Sequence, residues 1–399
     1  MRIALLVTDL TPPRIGGISK VATSLAEHFT KMGHEVEVFC LERNLVHHQQ
    51  QKFKLQGVKP KWIFYRDYPV VAFSLQAFKD LLKRHKVKPF DISHAMNFNN
   101  IGMIPQYLNF KKARLVHVST GFETTQMEIK AKWSEFLSKP NFHNLAQIAM
   151  ESLLAPWQRA YIGWASAITT EDSETERQFI KMGLDSQKIH RIPSGVDYAA
   201  LSTYKTPPGF HLPMSPTAKM ILCPGRVDPR KGCQYLLRAF ARVADSLVGT
   251  ELVFAGGGRG SYLEDMQKMA VSLGLSGRVH FTGKVDDLRP FYACAHAVVL
   301  PSLSEGIPIT LQEALVFKKP VLCSKLEGTY AWAKDLKSIV WAPPADIVAL
   351  SKGLQTVMLE PAFDDLNASA QWMKNFDWAE VAKAYLAVYE WALQQQKTA

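Results

Sequence analysis

Several features that would narrow the field are missing from this sequence. Its five Cys stand in no paired spacing, which argues against a disulfide framework or a zinc site. Buried, reduced thiols in a cytoplasmic protein are the expectation. No apolar run is long enough to span a bilayer. The first such run, Ile3-Ala4-Leu5-Leu6-Val7, is too short for a signal peptide and is cut by Asp9, so it reads as a first β-strand. No Gly-x-Gly-x-x-Gly is present, which weakens a dinucleotide-dependent dehydrogenase. No nucleic-acid-binding motif is present, and nucleic acid is not an expected partner. Asp-x-Asp does not occur, so a metal clamp on a diphosphate lacks its obvious ligands and no metal or cofactor is expected.

What is there is a chain of 399 residues, 47% hydrophobic, enough for two domains with separate cores. Short apolar runs alternate with helical patterns, and the alternation restarts after a Pro-rich stretch around Pro207-Pro208-Gly209 and Pro213. The expected division is a first domain over 1–203, a linker over 204–217, a second domain over 218–375 and a final helix over 376–399. The formal net charge is +11, with Lys and Arg crowded in the first half at Lys52, Lys54, Lys59, Lys61, Lys79, Lys83, Arg84, Lys86, Lys88, Lys111, Lys112 and Arg114. Such clusters suit an anionic substrate or anionic lipid, and each alone also reads as ordinary solvated surface. Residues 133–164 are rich in Trp, Phe and Leu, which reads as helices packed on the first domain or as a lip touching lipid.

The most informative stretch runs from Pro301 to Leu315. Ala297-Val298-Val299-Leu300 before it has the pattern of a buried parallel strand, ended by Pro301. Pro308 suits the start of the next helix. A loop then carries Ser304, Glu305 and Gly306, and a helix carries Glu313. In open α/β sheets, ligands lie beyond the carboxyl ends of strands, where helix N–H groups suit a phosphate. Carboxylates accept hydrogen bonds from hydroxyls. The combination suits a nucleotide sugar, although two Glu so spaced are as readily a solvated loop and helix. Arg226 and Lys231 flank a similar turn after Met220-Ile221-Leu222-Cys223, where two cations can neutralise a diphosphate or simply be exposed. Gly16-Gly17 follows the first strand and allows backbone N–H groups close to a phosphate. His94 and His117 are read at strand ends, where a lone His is either a core residue or an active-site group.

These marks, in this order, resemble glycosyltransferase family 4, retaining enzymes of the GT-B fold. They are Gly16-Gly17, Ser194-Gly195-Val196-Asp197, Arg226 with Lys231, and Glu305 with Glu313. The resemblance covers nearly the whole chain. It implies an α/β architecture of two Rossmann-like domains facing across a cleft, with the last helix crossing back to the first domain. It also implies donor contacts at Gly16, Gly17, Arg226, Lys231, Gly283, Glu305, Gly306, Ile307, Pro308, Ile309 and Glu313. Glu305 would meet the sugar, Glu313 the ribose, and Arg226 and Lys231 the diphosphate; Arg226, Lys231 and Glu305 are the expected catalytic set. Acceptor or sugar contacts would fall on His94, Thr120 and Glu123. The chain departs from the family pattern at Thr120, where His is usual, at Ser194 for Asn, at Ile307-Pro308 for Phe-Gly, and at Glu327 for Gly.

The reaction so implied is transfer of a sugar to an acceptor hydroxyl with retention, by front-face attack in which the departing phosphate takes the acceptor proton. A glycan or lipid-linked acceptor and peripheral contact with the inner membrane face are further expectations. Two rivals are a nucleotide-sugar epimerase of the same fold and a non-catalytic nucleotide-sugar binder.

Overall fold

The computed structural model describes residues 1–11, 17–47, 51–60, 69–121, 142–258, 261–359 and 365–398. The chain divides into two compact units, Met1–Gly195 with Trp378–Ala399, and Val196–Asp377.

The first unit is built on a parallel sheet of β1 (Arg2–Leu6), β2 (Glu35–Leu41), β3 (Lys54–Val58), β4 (Ile92–Met96), β5 (Val116–Gly121), β6 (Ala167–Thr170) and β7 (Ile189–Arg191), in the order β3-β2-β1-β4-β5-β6-β7. Its central strands are buried throughout, as their continuous apolar runs require. The helix Gly17–Lys31 lays Val21, Leu25 and Phe29 into the core, and Gly33 ends its last turn with φ of 85°.

The second unit repeats the plan with β8 (Lys219–Pro224), β9 (Thr250–Ala255), β10 (Val279–Phe281), β11 (Ala297–Leu300), β12 (Val321–Ser324) and β13 (Ile339–Ala342), in the order β10-β9-β8-β11-β12-β13. Ala297 and Val298 of β11 lie beside Ile221 and Leu222 of β8. Strand order runs outward in both directions from β8 and β11. This pair is therefore the topological switch point, where the loops leaving two adjacent strands diverge to opposite faces and open a crevice.

The boundary between units falls earlier than the sequence suggests. The helix Tyr198–Ser202 and the Pro-rich stretch both belong to the second unit: Leu201 is buried in one of its cores, and Phe210, Leu212 and Met214 pack against it. The stretch over 204–217 is packed surface rather than free linker, because its apolar residues find a core within reach.

The final helix, Trp378–Thr398, belongs to the first unit, as the chain's return crossing requires. It buries Trp378, Val381, Ala382, Tyr385, Val388, Tyr389 and Ala392 at helical spacing, in one cluster with Ile3, Leu5, Leu25 and Phe29. Gly195 is required by this packing: a Cβ there would stand 2.6 Å from the Trp378 indole. Ser194 beside it donates a hydrogen bond to Glu171. Trp378→Ala removes the largest fully buried side chain of this contact and should destabilise the first unit by about 3–5 kcal/mol. A lowered urea midpoint for its transition checks this; an unchanged midpoint would mean that the helix is not part of the core.

Candidate active site

The site of the second unit is set by two close approaches. Asp228 caps the 3₁₀ turn Pro229–Lys231, its carboxylate accepting from the Arg230 N–H. Gly232 then takes φ of 66°, and a Cβ on it would lie 2.0 Å from the carbonyl oxygen of Pro301. Only glycine allows both. The turn after β8 is thereby pressed against the end of β11, and the Leu303 N–H donates to the Arg230 carbonyl at 2.7 Å. The second approach is Gly256, where a Cβ would stand 2.2 Å from the Gly225 carbonyl. It holds the start of the Arg226 loop against the end of β9.

As a result Lys231 and Glu305, distant in sequence, meet in an ion pair, both side chains only partly exposed. Ser302, itself buried, donates to the same carboxylate oxygen at 3.1 Å. A small cavity borders the pair, lined by Gly225, Arg226, Lys231, Pro301 and Ser302. Arg226 is exposed at its mouth. Gly306 is tied to the following segment, its carbonyl accepting from Thr329 Oγ1 at 2.6 Å. Ile307 and Pro308 are buried, and Pro308 caps the helix Ile309–Val316, which carries Glu313 half-buried one turn on. Burial, with the charge of Glu305 added, pushes the nearby Cys323 thiol up, so it stays protonated beside the site. Gly283 sits at φ of 71° in a loop bridged to Gly256, with open space where a Cβ would be. Glu327 is exposed at the first position of the helix Glu327–Ala333. The structure thus gathers Arg226, Lys231, Glu305, Gly306 and the helix of Glu313 at the switch point. Ser302 was missed by the sequence reading, although it stands next to Pro301 in the stretch from Pro301 to Leu315.

The first unit overturns one expectation. β4 extends to Met96 and β5 to Gly121, so His94 and Thr120 lie within strands rather than beyond them. Both are fully buried. His94 Nδ1 is hydrogen-bonded to the Tyr389 hydroxyl at 2.6 Å and Nε2 to Thr120, which also meets Thr169. These side chains fasten the final helix to the sheet; they are not exposed to an acceptor or a sugar. His117 is a core residue too, hydrogen-bonded to Ser93 Oγ at 2.9 Å. Gly17 is exposed as the first residue of its helix, with open space around it. Gly16, Glu123, Trp133 and Phe136 lie outside the described residues. Part of the basic cluster is answered internally: Lys54 and Lys88 pair with Glu35, and Arg84 with Glu37. Lys88 and then Lys54 hold the Glu35 carboxyl down at about 2. Among the described residues, no three His, Cys, Asp or Glu side chains gather as metal ligands do, and no helix is long and apolar enough to cross a membrane.

Two doubly wound parallel units of this kind define the GT-B class of fold. Residues 15–200 match the model for Glycosyltransferase Family 4, and residues 210–375 that for glycosyl transferases group 1. An uncharacterized glycosyltransferase of Methanocaldococcus jannaschii is 23% identical over 99% of both chains. A phosphatidyl-myo-inositol mannosyltransferase of Mycobacterium leprae is 28% identical over 62% of this chain and 64% of that one. The crystal structure of Anabaena HepE in complex with UDP-glucose superposes with a TM-score of 0.70 at 15% identity, covering all of both chains. This chain belongs to the glycosyltransferases of GT-B fold and family 4 type, and it is an enzyme of the transferase class.

Burial drives the pKa of His94 and of His117 down to about 3, a neighbouring histidine adding to the effect at His94. In the unfolded chain each takes up a proton near 6.5. Their neutral burial therefore stabilises the fold fully above pH 6.5, and that stability is lost as pH falls toward the folded values. Each histidine adds a slope of up to about 1.4 kcal/mol per pH unit in this window. Urea midpoints should fall between pH 7 and pH 5, and His94→Gln should flatten the dependence; an identical slope in the variant would place the proton uptake elsewhere.

Proposed function

We propose that this enzyme moves a sugar from a nucleoside-diphosphate sugar to an acceptor hydroxyl with retention of anomeric configuration, without a metal. The observation that carries the reading is the Lys231–Glu305 pair at the switch point, with Arg226 beside it. Lys231 and Arg226 hold the diphosphate; Arg offers a fork of donors and Lys a point charge. Glu305 accepts from a hydroxyl of the sugar, and Glu313 from the ribose. As the bond from the anomeric carbon to the phosphate oxygen breaks, negative charge grows on the diphosphate, where the two cations stabilise it. The acceptor oxygen bonds to the same carbon from the same face, and its proton passes to the departing phosphate.

The crystal structure of HepE is a complex with UDP-glucose, and that supports a nucleotide-sugar donor. The mannosyltransferase of Mycobacterium leprae acts, by its name, on a phosphatidylinositol. That supports a glycolipid acceptor; peripheral contact with the cytoplasmic membrane face is the way we propose it is reached.

A thermal-shift screen across UDP-, GDP- and ADP-sugars, followed by turnover assays, tests the reading; a stabilising donor that is never consumed would favour a non-catalytic binder. Lys231→Ala should fold and lose roughly 10²–10³ in turnover, as removal of one such electrostatic group does. Near-normal turnover by a folded variant would remove Lys231 from the diphosphate. Turnover should also persist in excess EDTA, since no Asp-x-Asp is available to clamp a metal. Loss that is restored by Mg²⁺ or Mn²⁺ would mean that a metal, rather than Arg226 and Lys231, neutralises the diphosphate.

A further inference from the structure

Tyr292 is a buried phenol that the proposed reaction does not use. It sits on the short helix Arg289–Cys294, 1% exposed. Its ring stacks on Phe317, with centroids 5.5 Å apart and planes 12° from parallel. Its hydroxyl donates to the Thr310 carbonyl at 3.3 Å. Thr310, Glu313 and Phe317 are spaced i, i+3, i+7, so they form one stripe along the helix Ile309–Val316 and its cap. The ring is fixed at one end of the stripe and the hydroxyl reaches the other. Glu313 falls between them on that stripe. A phenol has one proton to donate, and a charged carboxylate is a stronger acceptor than a carbonyl at 3.3 Å.

We infer that Tyr292 is a positioning residue for the donor nucleotide: its hydroxyl orients the Glu313 carboxylate toward the ribose. This rests on the reading of Glu313 as the ribose contact. Burial, and after it the negative charge of Glu313, push the phenol's pKa well up, so it remains a donor at any working pH. The clamp on Phe317 matters because a glutamate side chain otherwise gives up rotamer freedom when it binds; a carboxylate already oriented loses less.

Tyr292→Phe keeps the ring and its stack and removes only the hydroxyl. UDP, GDP and ADP are titrated by calorimetry into the wild type, and the one that binds is compared with its 2′,3′-dideoxy analogue. In the wild type the analogue binds more weakly. In Tyr292→Phe, affinity for the ribonucleotide should fall roughly fivefold. Affinity for the dideoxy analogue should not change, and kcat with the sugar donor should stay near wild type while KM rises. Glu313→Ala, which leaves no acceptor for a hydroxyl, should bind the two nucleotides equally, and the double variant should lose nothing more. Equal losses for both nucleotides in Tyr292→Phe, or no loss for either, would overturn the inference while leaving Glu313 in place. If Glu313→Ala still discriminated between the nucleotides, the ribose contact itself would be wrong, and the inference with it.

Discussion

Much of the second unit depends on the contact between Gly232 and the carbonyl of Pro301. A Cβ at that position would lie 2.0 Å from the oxygen, and the backbone is at φ of 66°, so neither space nor conformation admits another residue without movement. The contact joins the ends of β8 and β11, the two strands at which the sheet order diverges. Any parallel sheet leaves a crevice there, but a crevice alone has no chemistry. In this chain the same glycine fixes the residue before it, Lys231, within reach of Glu305. Backbone geometry thus sets a charge arrangement, and the charges decide what the crevice can hold.

The two units use the ends of their central strands in different ways. In the second, the loops beyond the strand ends carry charged and partly exposed groups. In the first, the central strands β4 and β5 place His94 and Thr120 under the final helix, where Tyr389 closes a chain of hydroxyls and an imidazole. A buried polar group without a partner is costly, so a network of this kind tolerates little change in any one member. The depressed pKa values of His94 and of the separately buried His117 follow from dry surroundings rather than from catalytic tuning. Perturbed pKa values cluster at active sites only as a tendency, and this pair is a structural counterexample.

Local pattern made much of this legible. Ala297–Leu300 is a strand at the residues its apolar run marks, and Pro301 and Pro308 end and begin elements as their missing N–H groups require. The order of the sparse marks pointed to the fold, and Gly195 has a structural reason in the Trp378 ring. His94 and Thr120 were misplaced because a one-residue match says nothing of what covers it. The cover comes from Tyr389, hundreds of residues on in the same unit. The unit boundary was set late because Pro-rich composition looks like a linker, whereas Phe210, Leu212 and Met214 are apolar residues with a core to join. Tyr292 carried no signal at all. Its role depends on which face of a later helix it meets.

A lysine already paired with a carboxylate looks poorly prepared to receive a phosphate, since the two anions compete for one cation. The surroundings of Glu305 answer this. Its oxygen accepts from Ser302 as well as from Lys231, so the carboxylate keeps a donor when the lysine is shared or withdrawn. On the proposed reading, the hydroxyls of the incoming sugar supply further donors. The exchange is then one of hydrogen-bond partners, with no anion stranded without a donor at any stage. The ion pair also restrains the flexible lysine stem beside Glu305, so less of its rotamer entropy is lost on binding. Before the donor arrives the pair is neutral and satisfied. On the same proposed reading, once a diphosphate enters, the balance of charge moves to the phosphate oxygens, where it grows further as the glycosidic bond breaks.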